Sequence, residues 1–157
     1  MSDVVDRSTN LFAQGCNCAQ AILAACAPEL GLPADVALKV AAGFGGGVGR
    51  QGEVCGAVSG AVMVIGLRHW NGTGSRIPSD AATKERVYDL VRQFSDAFRE
   101  RHGSILCREL LGCDILTVEG LSEARERGLF KSVCPALVAD AAELLEREAF
   151  IPPPTPL

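Results

Sequence analysis

The stretch VCGAVSGAVMVIGL, residues 54–67, decides the fold. It has no charged side chain, and a membrane span would need about 20 apolar residues. It therefore reads as a buried helix. Gly56 and Gly60 stand one helical turn apart with Ala57 and Ala61 beside them. Residues four apart share a helix face, so a second backbone can approach closely there. The preceding stretch, GFGGGVGRQG (43–52), is six-tenths glycine. Each glycine weakens a helix by about 1 kcal/mol relative to alanine, so this segment reads as a loop.

Further out, Cys18 to Ala27 is alanine-rich and predicts a short helix, capped by Asn17 and ended by Pro28 and Gly31. Ala34–Ala42 follows Pro33 and predicts another, although Val36, Leu38 and Val40 alternate as in a strand. His69–Ser79 reads as a loop. Asp80–His102 is the clearest helix, with Val87, Leu90, Val91, Phe94 and Phe98 on one stripe and Gly103 as its stop. Ser104–Leu111 and Glu119–Gly128 predict short helices. Cys134-Pro135 opens a helix that runs to about Glu148, with Cys134 at the N-cap and a stripe of Leu137, Val138, Ala141, Leu144 and Leu145. The first ten residues read as a polar lead-in, and 151–157 as a Pro-rich mobile tail. No hairpin signal is present. The expected architecture is all-α: a single-domain bundle of about six or seven helices over residues 1–150, with the Gly-rich loop at the cysteine site.

Composition narrows the function. Of 157 residues, 48% are apolar and 22% charged, with a net charge of -4. That excludes a disordered chain, and the acidity argues against nucleic acid as a partner. The start MSDVVDRSTN has two Asp and no apolar run, so it does not read as a signal peptide. The expectation is a cytoplasmic protein with reduced thiols and no membrane span. Seven cysteines, an odd number, rule out a fully paired disulfide framework.

Cys18, Cys55 and Cys134 fall at or near predicted helix starts, and Cys107 in the first turn of a fourth helix. Unpaired N–H groups at a helix N-terminus favour thiolate over thiol. If the four starts converge at one end of the bundle, four thiolates make a site for a soft metal or an iron–sulfur cluster. Packing is the alternative, since free cysteine buries readily. Cys26 reads as core; Cys16 and Cys113 stay unassigned. Gly45, Gly46, Gly47 and Gly56 are the candidates for bringing backbone N–H groups against the cofactor or its thiolates; the loop's other reading is a need for several positive φ angles. Residues 47–52 also spell GxGxxG, but the dinucleotide fingerprint needs a preceding strand, and here a helix precedes. Glu53 and Arg50 flank Cys55 and would adjust its ionisation in opposite directions. Arg108 follows Cys107, either as a solvated charge or as an offset to cluster charge. His69 and His102 are the only histidines. Ser59 lacks the GxSxG context of a nucleophile, and no P-loop is present.

Residues 43–67, with CGAVSG at Cys55–Gly60, resemble the signature of the C_GCAxxG_C_C family of redox-active proteins. GCNCAQAIL (15–23), GSILCRELLG (103–112) and GLFKSVCPALVADAAELLE (128–146) resemble its other cysteine blocks, in the same order. The family's four cysteines fall on Cys18, Cys55, Cys107 and Cys134. A related module in split-Soret cytochromes is associated with an iron–sulfur cluster. The resemblance thus implies a redox or electron-transfer protein with these four as ligands to a cluster, and an unidentified redox partner. The haem attachment motif CxxCH is absent. Two alternatives use the same cysteines: metal-free thiol–disulfide chemistry, or a structural zinc site. A homodimer packed through the Gly56–Gly60 face is a further reading.

Overall fold

Local chemistry sets the helix starts. The computed structural model describes residues 3–70 and 81–152. The stretch expected as a polar lead-in is a helix, α1 (Asp3–Ala13). Val4, Val5 and Ser8 are buried on its inner face, and the Ser8 hydroxyl donates to the Val5 carbonyl at 3.0 Å. That bond removes the cost of burying a hydroxyl, so a serine can sit in an otherwise apolar stripe. α2 (Cys18–Leu30) begins at Asn17 with a capping box: Asn17 Oδ1 accepts from the Gln20 N–H at 2.9 Å, and Gln20 Oε1 accepts from the Asn17 N–H at 3.0 Å. Pro28 does not end this helix but lies inside it, close to its C-terminus. There it costs one backbone bond, not the helix. Gly31, at φ 65°, closes α2 by donating to the Ala27 carbonyl.

α3 (Ala34–Ala41) is helical, and it buries Ala37 and Ala41 while Val36 and Val40 face solvent. A 3-10 turn (Ala42–Phe44) and the single turn α4 (Gly45–Val48) follow. The apolar stretch becomes α5 (Gly56–His69), with Cys55 as its N-cap rather than within it. α6 (Ala81–His102) buries Leu90, Phe94 and Phe98; its expected first residue, Asp80, lies outside the described residues, as do 71–79 of the loop expected over His69–Ser79, whose first residue, His69, is instead the last of α5. The chain ends in α7 (Cys107–Leu111), α8 (Val118–Glu126), α9 (Leu129–Ser132), α10 (Cys134–Leu145) and a 3-10 turn (Glu148–Phe150). α10 starts one residue earlier than a Cys134 cap would give, since Val133 is the cap and Cys134 is the first helical residue. All five residues of its expected stripe are buried. Of the expected tail, 153–157 lie outside the described residues.

The fold is all-α. Among the described residues the β pairing is one antiparallel bridge, Val54 to Leu106, and no helix is long and apolar enough to cross a membrane. The main core lies between α2, α5, α10, α1 and α6. A smaller cluster under α7–α10 holds Leu111, Ile115, Ala124 and Leu129 together with Cys107 and Cys134. The Gly56–Gly60 face is taken by α2 of the same chain. A Cβ at Gly60 would sit 2.9 Å from the Ala19 carbonyl oxygen, and one at Gly56 would sit 3.0 Å from the Cys18 Cβ. The face is therefore not free to receive a second copy.

Candidate functional site

The glycine loop forms one wall of the site. Five consecutive residues, Gly46 to Arg50, have left-handed φ between 62° and 68°, and Gly52 adds another at 71°. Two of the five, Val48 and Arg50, carry side chains, and an L-residue there costs about 1–2 kcal/mol. Backbone bonds hold the turn closed: Arg50 N–H to the Gly45 carbonyl (3.2 Å), Gly52 N–H to Gly46 (3.1 Å) and Glu53 N–H to Gly47 (3.0 Å). Gly47 is needed twice over. Its φ is 68°, and a Cβ would lie 2.5 Å from the Glu53 nitrogen and 2.8 Å from the Cys107 Cβ. The helical, sheetless surroundings remove the GxGxxG dinucleotide reading.

A short extended pairing then draws two distant cysteines together. The Cys55 N–H donates to the Ile105 carbonyl at 2.7 Å, the Cys107 N–H to the Glu53 carbonyl at 2.7 Å, and the Arg108 N–H to the Gly52 carbonyl at 3.1 Å. From the other side, α2 and α10 present Cys18 and Cys134 at their first residues. Cys18, Cys55, Cys107 and Cys134 all line one cavity of about 580 Å³, together with Gly45, Gly46, Gly47 and Gly56. Cys55, Cys107 and Cys134 are buried and Cys18 is half-buried.

Their ionisation departs from the helix-start expectation. Burial pushes Cys55 up to about 11 despite the N–H groups of Ala57 and Val58, and pushes Cys107 up to about 12. At these sites the lost hydration of a thiolate outweighs the helix N-terminus. Cys18 is raised well above 9.0, first because its thiol donates to Cys134 and then by burial. Cys134 alone is lowered: it accepts from Cys18 and is aided by its own backbone N–H, against the pull of burial. The pair thus has a donor thiol, Cys18, and an acceptor sulfur, Cys134, that takes the negative charge.

The expected metal centre is not built. No group of three or more His, Cys, Asp or Glu side chains among the described residues is placed to hold a metal ion. This overturns the iron–sulfur cluster on Cys18, Cys55, Cys107 and Cys134, the electron-transfer role that rested on it, and the zinc alternative. The physical reason is geometric: all four cysteines line one cavity, but no three of them come together as a ligand set for a common ion.

The other candidates fall elsewhere. Cys26 lies in the main core, where burial pushes it to about 12. Cys16 and Cys113 are half-buried and do not line the cavity. Arg108 pairs with Glu53 at 3.2 Å, Arg50 is exposed on the cavity wall, and burial is the leading cause of the Cys55 shift. His69 Nε2 lies 3.0 Å from the Phe150 carbonyl oxygen, and His102 Nε2 lies 2.9 Å from Asp140 Oδ2, both away from the cavity. Sequence reading missed Arg125, Phe12 and Phe130, which line it from α8, α1 and α9. None carries a motif, and only the packing of those helices brings them in.

No curated protein and no solved structure matches the chain. A family model described as "Putative redox-active protein (C_GCAxxG_C_C)" matches residues 16–148. That span covers most of the chain and takes in all four cavity cysteines, so the chain belongs to the C_GCAxxG_C_C family.

Proposed function

We propose that this is a metal-free thiol–disulfide redox protein whose exchanging pair is Cys18 and Cys134. The observation that carries the reading is the placement of Cys18 and Cys134 at the first residues of α2 and α10 on the wall of one cavity, and the thiol-to-sulfur interaction that lowers Cys134 and raises Cys18 supports it. A lowered thiol supplies the attacking thiolate, and a neighbour within hydrogen-bonding reach supplies the second sulfur. The Cys134 thiolate attacks one sulfur of an incoming disulfide. That S–S bond breaks, and half of the molecule leaves as a thiolate that takes up a proton. Cys18 then loses its proton and attacks the Cys134 sulfur, so the second half leaves as a thiol. Two protein thiols and one disulfide become one protein disulfide and two thiols. Cys55 and Cys107 stay protonated at neutral pH and complete the wall, while Gly45, Gly46, Gly47 and Gly56 let backbone stand close to it.

In this reading the working unit is the span 1–150 with 151–157 appended, the compartment is the reducing cytoplasm, and the partner is another thiol or disulfide. The test counts free thiols by mass spectrometry before and after mild oxidation in the presence of a chelator. Two of the seven should be lost, and a reductant should restore them. A protein that keeps all seven under conditions that oxidise a free dithiol would overturn the proposal.

A further inference from the structure

The charge of the cavity wall is opposite to that of the chain. The protein carries a net charge of -4, yet among the described residues the only charged ones lining the cavity are Arg50 and Arg125. No described Asp or Glu lines it. Both arginines are exposed, and neither makes an ion pair with a described residue, whereas Arg108 and Arg127 close by are paired with Glu53 and Glu123. Without a carboxylate partner among the described residues, their charge is available to a ligand. Arg50 is also held at φ 64°, a conformation that side chains rarely adopt. Such strain persists where the surroundings over-determine it and is common at ligand sites. The remainder of the wall includes the apolar side chains of Phe12, Phe130 and Leu137. The volume, about 580 Å³, falls within the usual range for small-molecule sites.

We infer that the cavity admits small anionic disulfides, with a carboxylate at each end of a short aliphatic S–S unit, and that Arg50 and Arg125 bind the carboxylates. Guanidinium is suited to this because its planar fork meets a carboxylate with two parallel bonds. The apolar wall takes the aliphatic middle, and the S–S bond lies among the thiols. The inference rests on the thiol–disulfide reading for its chemistry: the anionic disulfide is reduced to two thiols as Cys18 and Cys134 are oxidised. It adds the class of molecule that this exchange prefers.

The test uses one scaffold with three charges. Dithiodipropionate carries two carboxylates, hydroxyethyl disulfide is neutral and cystamine carries two ammonium groups. Each rate of protein oxidation is divided by the rate of the same disulfide with mercaptoethanol, which removes intrinsic reactivity. The full-length protein should prefer dithiodipropionate over cystamine by tenfold or more, with the neutral compound between. The double variant Arg50→Asn, Arg125→Gln should bring that ratio near one, Arg125→Lys should keep part of it, and Arg99→Gln, on the outer face of α6, should leave it unchanged. Asn tolerates the left-handed backbone at position 50, so the double variant should fold. In parallel, the thioether thiodipropionate, which cannot exchange, is titrated against wild type and the double variant, with binding expected to weaken at least tenfold. Equal or reversed normalised rates, or thioether binding absent or indifferent to the arginines, would overturn the inference while the redox reading stands. If no disulfide oxidises any thiol, the redox reading fails, and the thioether titration still decides whether the cavity selects anions.

Discussion

Two glycine-rich regions lie side by side in this protein and use glycine for different reasons. In the α2–α5 seam, Gly56 and Gly60 have ordinary helical geometry, and what matters is the missing Cβ: α2 backbone fills its place. In the loop at residues 46–52 the backbone itself is unusual, left-handed for five residues running. The seam gives rigidity by close packing. The loop instead holds an open wall, and two residues with side chains accept the strain with it. Closeness and conformation are thus separable costs, and the positions allow each to be tested alone.

The largest effect should come where both costs meet. Gly47→Ala adds a left-handed penalty of about 1–2 kcal/mol to overpacking of about 1–3 kcal/mol, so a loss near 3 kcal/mol is expected in urea unfolding. Gly60→Ala tests closeness alone and should cost about 2 kcal/mol, since the Ala19 carbonyl and Ile22 cannot both withdraw. Gly49→Ala tests conformation alone: its φ is 62° and nothing stands within 4 Å of the new Cβ. It should cost about 1 kcal/mol. If Gly49→Ala costs as much as Gly47→Ala, the separation of the two causes fails. Val48→Gly should stabilise the fold, by about 0.5–1 kcal/mol once the entropy of a new glycine is subtracted.

At neutral pH the smallest expected difference is in ionisation, and it grows in alkali. Cys55 at about 11 and Cys107 at about 12 lie above the ordinary 9.0, so the folded state holds those protons more tightly. Their contribution is complete below pH 9 and is lost as pH rises through 11 and 12. The melting temperature should therefore fall across that window, and less steeply in Cys107→Ala. Cys134 has the opposite sign: its thiolate contributes above 9.0, and that contribution is lost as pH falls through its lowered value. Alkylation of Cys134 should reach half its maximal rate below pH 9.0, and Cys18→Ala should move that midpoint upward.

How much of this was legible in the sequence follows from where the information is local. The α6 stripe of Leu90, Phe94 and Phe98 repeats at helical spacing, and Asn17 announces α2 with a side chain that bonds three residues on. The placement of four cysteines at helix starts was readable for the same reason. α1 was not, because its inner face holds a serine where a stripe needs an apolar residue, and the Val5 carbonyl that satisfies it is visible only in the folded helix. In α3 the valines alternate as in a strand, but it is Ala37 and Ala41 that are buried as the helix packs on α2. The helix starts do not foretell the ionisation of the thiols, because a helix start is a local feature and burial is not. The metal expectation failed on the same ground, since spacing along the chain does not say whether sulfurs meet at a point or stand around a space.

The central claim is that Cys18 and Cys134 act as one chemical unit. Peptide mapping of the first disulfide formed under limiting oxidant tests it most directly. The account predicts a single cross-link between the peptides containing Cys18 and Cys134, with Cys26, Cys55 and Cys107 still alkylatable after unfolding. A first cross-link that leaves both Cys18 and Cys134 as free thiols would contradict it.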